Sequence, residues 1–311
     1  MSTNFQEHLN HLPASGIWSA SLTPLTDDLS IDIEHLTQHA QSLLTEGCHG
    51  IGLFGTTGEA NAFSVAERMS ALESLLENGI RPKSLMVGTG CCSLSDTLAL
   101  TQHAVSQGVY RVLMLPPFYY KNVTDEGLFN SYAEIIERTA NDDLQLFLYH
   151  FPAMSQTPIS VNLVAMLVER FPETIAGLKD SSGDQDSTLE FVTAFPKLAI
   201  FPGNEDHLLA SLDKGCAGCI SATANANPRG IRKIADAWLS GDHMKDDFQK
   251  QALLIRKVFV RLPLIAGLKQ YASWSSDNSS WLRLRPPLTL LDDTSKAVLR
   301  SDIEALSTQP S

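Results

Sequence analysis

Short apolar runs alternate with amphipathic helical stretches eight times along this sequence. The strand-like runs are Gly16–Leu22, Gly50–Phe54, Ser84–Gly88, Arg111–Leu115, Leu144–Tyr149, Ile175–Lys179, Ala199–Pro202 and Gly218–Ser221. Helical patterns follow at Ile33–Thr45, Ser64–Asn78, Ser95–Gln107, Asp125–Thr139, Ser160–Glu169, Gln185–Phe195 and Asp206–Lys214, with an eighth starting near Pro228. The runs are continuously apolar instead of alternating, the pattern of parallel strands covered by helices. Ser64-Val65-Ala66-Glu67 reads as a capping box, and Ser95, Asp125 and Ser160 stand where helix N-caps are expected.

Eight such units predict an α/β fold, a closed (β/α)8 TIM barrel over residues 1–230. A doubly wound open sheet shares the alternation and is the runner-up. Residues 231–311 read as a C-terminal helical extension broken at Pro263, Pro286 and Pro287.

The chain has 311 residues and a formal net charge of −12. That excess of acid argues against nucleic-acid or anionic-membrane partners. Met1 to Ser15 is polar, with no apolar core for a signal peptide. The apolar stretch from Ala252 to Leu268 is broken by Arg256, Lys257, Arg261 and Pro263, too often to span a bilayer. A cytoplasmic protein is the expectation. Five cysteines, at 48, 91, 92, 216 and 219, fit reduced thiols better than a disulfide framework. Cys216 and Cys219 have C-x-x-C spacing but no second ligand pair, so they read as small buried residues.

In a barrel of this kind, reactive groups gather where strands end and βα loops begin. Strand 2 ends in Gly55-Thr56-Thr57-Gly58-Glu59, strand 4 in Pro116-Pro117-Phe118-Tyr119-Tyr120, and strand 5 in Tyr149-His150-Phe151-Pro152. Strand 6 ends in Lys179-Asp180-Ser181-Ser182-Gly183 and strand 7 in Gly203-Asn204-Glu205-Asp206. A lysine closing an apolar strand points its amine into the mouth. Desolvation favours the neutral amine, which can attack a ketone and form a Schiff base. On its local pattern alone, Lys179 reads as a lysine snorkelling to solvent or pairing with Asp180. The Gly55–Glu59 loop offers backbone N–H groups and two hydroxyls to a carboxylate, and lacks the Gly-Lys-Thr/Ser ending of a triphosphate loop. Its plainer reading is an ordinary βα turn. Tyr149 can relay protons at a strand end, although a tyrosine there is more often a core-boundary aromatic, as are Tyr119 and Tyr120. His35 and His39 have i, i+4 spacing, but the intervening Leu36-Thr37-Gln38 lacks the glutamate of a zinc helix, so a surface pair is expected. Asp184 and Asp186 open a helix, where acids favour the dipole.

Together these segments resemble the dihydrodipicolinate synthase/N-acetylneuraminate lyase family of class I pyruvate aldolases. The matching residues are Gly55-Thr56-Thr57-Gly58-Glu59, Tyr149-x-x-Pro152, Gly177-Leu178-Lys179-Asp180, Gly203-Asn204-Glu205-Asp206, Gly218-Cys219-Ile220-Ser221 with Asn225, and Arg285-Pro286-Pro287-Leu288. The resemblance covers nearly the whole chain in order. It implies that Lys179 forms the imine with pyruvate, that Tyr149 shuttles protons, and that Thr56 and Thr57 hold the pyruvate carboxylate. It also implies that Gly203 and Ile220 line the pyruvate pocket. Tyr119 aligns with a tyrosine that in many members completes the relay in a neighbouring subunit. The family is usually a homotetramer, a dimer of dimers, and uses no metal or organic cofactor.

One departure matters. Lysine-pathway synthases of this family carry an arginine two residues after the Tyr-x-x-Pro proline to bind the carboxylate of aspartate semialdehyde. Here that position is Met154, which cannot make such a contact. The Phe151-Pro152-Ala153 run is closer to 2-keto-3-deoxy sugar-acid aldolases, and Pro-Ala also occurs in sialic-acid lyases. His150 either contacts a polyhydroxylated substrate or faces away. The leading expectation is a lyase that cleaves a 2-keto-3-deoxy sugar acid or related 4-hydroxy-2-oxo acid to pyruvate and an aldehyde. The alternatives are 4-hydroxy-tetrahydrodipicolinate synthase, N-acetylneuraminate lyase and a family dehydratase. A metal-dependent aldolase would need a convergent His/Asp/Glu set at the strand ends, which the sequence does not offer. The non-enzyme alternative is a barrel that senses or binds a 2-oxo acid, and the presence of both Lys179 and Tyr149 speaks against it.

Overall fold

A computed structural model describes residue 9 and residues 11–307. Most of the polar N-terminal stretch and the last four residues of the extension lie outside the described residues. Eight parallel strands form one sheet in the order β7-β6-β5-β4-β3-β2-β1-β8. They are β1 (Gly16–Ala20), β2 (Gly50–Leu53), β3 (Leu85–Gly88), β4 (Arg111–Met114), β5 (Gln145–His150), β6 (Ile175–Asp180), β7 (Ala199–Pro202) and β8 (Gly218–Ser221). β1 pairs with both β2 and β8. The seam between β7 and β8 is bridged where Ala217 N–H donates to the Ile200 carbonyl at 2.8 Å. The molecule is therefore the expected (β/α)8 barrel and not an open sheet.

Each strand is followed by a helix: α1 (Ile33–Thr45), α2 (Val65–Glu77), α3 (Leu94–Ser106), α4 (Asp125–Thr139), α5 (Val161–Arg170), α6 (Gln185–Ala194), α7 (Leu208–Asp213) and α8 (Pro228–Ser240). The Ser64/Glu67 capping box is formed in full, and Ser160 caps α5. Two other caps lie earlier than expected. Thr124 caps α4 through Gly127 N–H, and Ser93 caps α3 through Asp96 N–H. A hydroxyl reaches the N–H three residues ahead, so the residue before the first helical turn takes the role. Asp125, freed from capping, accepts hydrogen bonds from Ser160 and Asn162 and joins the starts of α4 and α5.

The strands divide the core by their two-residue period. Leu146, Leu148, Ile175, Leu178 and Ile200 face the helices. Trp18, Leu113, Phe147, Tyr149, Phe201 and Ile220 fill the barrel interior. The register between β5 and β6 shifts after Leu146, so Ala176 is an extra residue in β6. This bulge brings Gly177 opposite Phe147, where a Cβ would lie 2.7 Å from the Phe147 ring. It also sets Tyr149 beside Lys179, both facing inward. Bulges re-aim side chains in this way.

Helix α8 runs across positions 230 and 231, where the sequence reading divided barrel from extension. Three further helices follow: α9 (Lys245–Val260), α10 (Leu264–Ser276) and α11 (Asp293–Ser307). Val258, Phe259, Leu268, Trp281, Leu284 and Leu299 form their own apolar cluster with Leu22 and Ala222. Those two residues follow β1 and β8, so the extension sits over the C-terminal end of the barrel. Arg285 secures it there, donating to Leu29 O at 2.8 Å and Ala62 O at 2.7 Å. Its ion pair with Glu67 pulls that carboxyl down to about 2.

His35 and His39 are not a surface pair. His39 Nε2 lies 2.8 Å from Asn225 Oδ1, and its ring meets Trp281 edge-on at 4.8 Å. Burial lowers its pKa to about 4. The extension covers α1 here, which periodicity within α1 does not reveal. Cys216 and Cys219 are buried, and burial pushes the Cys216 thiol up to about 12 and raises the Cys219 thiol well above its ordinary value. Among the described residues, no helix is long and apolar enough to cross a membrane.

Candidate active site

Lys179 is only 4% exposed at the inner end of a cavity of about 600 Å³ at the barrel mouth. It neither snorkels nor pairs with Asp180. Asp180 points the other way, accepting from Thr188 Oγ1 at 2.7 Å and Ser182 N–H at 2.8 Å. Lys179 Nζ instead donates to the Tyr149 hydroxyl at 3.4 Å and sits 4.5 Å from that ring's centre. The Tyr149 hydroxyl is 3.3 Å from Thr56 Oγ1. Phe151 stacks on the Tyr149 ring at 5.7 Å and holds it from the outer side. An amine, a phenol and an aliphatic hydroxyl therefore lie in one hydrogen-bonded line. Such a set can form an imine and move protons beside it.

Thr56 and Thr57 are held by a strained turn. Phe54 adopts φ 54°, an uncommon conformation for a bulky residue, and Glu59 adopts φ 57°. The Phe54 carbonyl lies over Gly88, where a Cβ would be 2.1 Å from it, so only glycine fits at 88. Phe54 is kept in place edge-on to Phe63 and beneath Arg68. The turn is closed by Glu59 N–H to Thr56 O at 3.1 Å and anchored by Thr23 Oγ1 to Gly58 O at 2.9 Å. Strain concentrated in a ligand-facing turn is the pattern of a preorganised site.

Among the residues expected to act together, Thr56, Thr57, Tyr149, Lys179 and Gly203 line the cavity. Gly55 and Ile220 are not among its lining residues. Gly55 begins the turn, and Ile220 is fully buried in the barrel floor. Tyr119 lies apart, 73% exposed and packed edge-on against Tyr120. His150 faces the helices, where its Nδ1 accepts from Ile159 N–H at 2.9 Å and its ring meets Phe191. It does not reach the cavity.

The roof was not legible in the sequence. Leu264, Ile265 and Ala266 come from the start of α10, and Leu284, Leu288 and Thr289 from the segment after it. Arg256 of α9 also borders the cavity. Its Nε donates to Asp206 at 2.7 Å, and Nη1 lies 3.8 Å from Glu205, which is fully buried. The one available signal was the Arg285-Pro286-Pro287-Leu288 run. Among the described residues, no group of three or more His, Cys, Asp or Glu side chains is placed to hold a metal ion.

A family model described as the dihydrodipicolinate synthetase family matches residues 13–306. An uncharacterized DapA-like lyase of Chloroflexus aurantiacus is 34% identical over 94% of this chain and 96% of its own length. The crystal structure of dihydrodipicolinate synthase from Agrobacterium tumefaciens superposes with a TM-score of 0.84 at 29% identity, covering 94% of this chain and 99% of that one. YagE, an Escherichia coli prophage protein solved in complex with pyruvate, has the same fold. Its TM-score is 0.85 at 23% identity, over 95% of this chain and 99% of that one.

Proposed function

The chain belongs to the dihydrodipicolinate synthetase family and is a lyase of the aldolase class; from that premise we propose that it cleaves a 4-hydroxy-2-oxo acid to pyruvate and an aldehyde through an imine on Lys179. The observation that carries this reading is the hydrogen-bonded line Lys179–Tyr149–Thr56, with contacts of 3.4 and 3.3 Å. The pyruvate complex of YagE supports the identity of the 2-oxo acid.

The Lys179 amine adds to the C2 ketone, and loss of water leaves the iminium. Tyr149 takes the proton of the C4 hydroxyl, the C3–C4 bond breaks, and its electron pair flows to the iminium as an enamine. The aldehyde leaves. Tyr149 returns the proton it took to C3, and water releases pyruvate and restores the amine. Thr56 passes the phenol's proton onward, and Thr57 with the turn's backbone N–H groups receives the substrate carboxylate. No metal or organic cofactor is needed. Tyr119, exposed in the single chain, is proposed to reach a neighbouring copy's Thr56 in a homotetramer.

Borohydride reduction in the presence of pyruvate tests the shared step. A pyruvate-derived mass on Lys179 is expected, and its absence sinks the mechanism. In Tyr149→Phe, kcat falls by about 10²–10⁴-fold, the usual worth of a positioned acid–base group. Loss of less than about tenfold would assign the proton to another group.

Met154 lines the cavity where a lysine-pathway synthase would present arginine. This favours a 2-keto-3-deoxy sugar acid over the condensation with aspartate semialdehyde. Met154→Arg is expected to raise kcat/KM for pyruvate plus aspartate semialdehyde by about tenfold or more, since a charge-assisted hydrogen bond is worth about 1.5–3 kcal/mol. A wild-type protein that already prefers this aldehyde would overturn the assignment.

A further inference from the structure

The cavity is far larger than pyruvate needs, and its chemistry beyond Lys179 is uneven. Among its described lining residues, only Lys179 and Arg256 carry charge. Arg256 is already committed to Asp206 at 2.7 Å and faces Glu205 at 3.8 Å. That group of three carries a net charge of −1 and repels a second anion. A carboxylate or phosphate on the far end of the substrate therefore finds no free cation, and burying one unpaired is costly. Met154 adds no charge on the opposite side.

What the outer cavity does offer is apolar surface. Phe151, Met154, Leu264, Ile265, Leu284 and Leu288 converge from the β5 loop, the start of α10 and the segment after it. Met154 is 62% exposed and Leu288 40% exposed, although both line the cavity. Neutral hydrogen-bonding side chains are few: Ser181, Asn204 and Thr289. A ligand pocket with a mainly apolar lining and a few polar groups selects a mainly apolar fragment.

From this juxtaposition we infer that the aldehyde half of the substrate is uncharged and ends in an apolar group, an alkyl or deoxy terminus seated against Met154, Ile265 and Leu288. The inference rests on Lys179 being the imine-forming lysine. It narrows the sugar-acid reading to acids whose far end carries a methyl or longer alkyl group in place of a hydroxymethyl, carboxylate or phosphate.

The test runs the reaction in the condensation direction, with pyruvate and four aldehydes: 2-hydroxybutanal, erythrose, glyceraldehyde 3-phosphate and aspartate semialdehyde. One apolar group in a matching pocket is worth about 10–100-fold. The expected result is that kcat/KM for 2-hydroxybutanal exceeds that for erythrose by such a factor and exceeds the two charged aldehydes by more. In Ile265→Asn the ratio of 2-hydroxybutanal to erythrose falls by about tenfold. A wild-type preference for erythrose or either charged aldehyde overturns the inference, as does an unchanged ratio in the variant or no turnover of any aldehyde. Borohydride trapping of pyruvate, run alongside, separates the two claims. An adduct without the apolar preference overturns only this inference, and no adduct overturns both.

Discussion

In Lys179→Met, cleavage of any 4-hydroxy-2-oxo acid falls by about 10⁴-fold or more, and borohydride leaves no pyruvate-derived mass on the protein. Methionine is close to lysine in length and shape, so the barrel interior keeps its packing while the amine is lost. Lys179 is buried beside Tyr149 and Phe201 and, among the described residues, makes no ion pair. Its removal therefore leaves no opposite charge stranded, and a fold defect is not the expected cause of lost activity. The Tyr149 hydroxyl and Thr56 remain, still able to take a proton, but without the iminium the C3–C4 electron pair has nowhere to go. Far-ultraviolet circular dichroism and the unfolding midpoint, measured beside the rate, separate chemistry from folding. A folded Lys179→Met protein that kept more than about one hundredth of the wild-type rate would remove the imine from the mechanism.

The barrel was legible because periodicity reports burial directly. Eight apolar runs without alternation require cover on both faces, and the observed strands lie within a few residues of those runs. Lys179 was legible as a strand end with its amine toward the barrel mouth, but its pairing with Tyr149 was not. That depends on one extra residue at Ala176, which sets Lys179 in register with Tyr149. No local pattern distinguishes that bulge from a regular strand, and without it a lysine beside Asp180 reads as a surface pair. The roof was hidden for a related reason. Leu264, Ile265 and Leu288 look like any apolar residues of a helical tail, and only their docking over the barrel mouth makes them part of the cavity. His39 shows the same limit, since an apparently exposed helix position is covered by Trp281 from far along the chain.

The roof and the turn that carries Thr56 and Thr57 are joined by a buried ion pair, and breaking it gives the second large effect. Glu59 ends the turn that carries Thr56 and Thr57, and its carboxylate pairs with Lys269 of α10, both side chains fully buried. Lys269 Nζ also donates to Arg283 O at 2.9 Å, just ahead of the roof segment. Burial pulls the Lys269 ammonium below its ordinary pKa while Glu59 opposes that pull, so the pair is stable only as a pair. Lys269→Met leaves Glu59 as an uncompensated buried charge, at a cost of about 3–5 kcal/mol. Glu59→Gln added to Lys269→Met removes that charge and recovers most of the loss, because a neutral amide against methionine needs no counter-ion. Denaturant midpoints of the two proteins measure the difference. If Lys269→Met unfolds at the wild-type midpoint, or the double variant is as unstable as the single one, charge pairing is not what holds the roof to the turn. The KM for pyruvate reports the functional side of the same contact. It rises in Lys269→Met because Thr56 and Thr57 lose their fixed placement, and it stays nearer the wild-type value in the double variant.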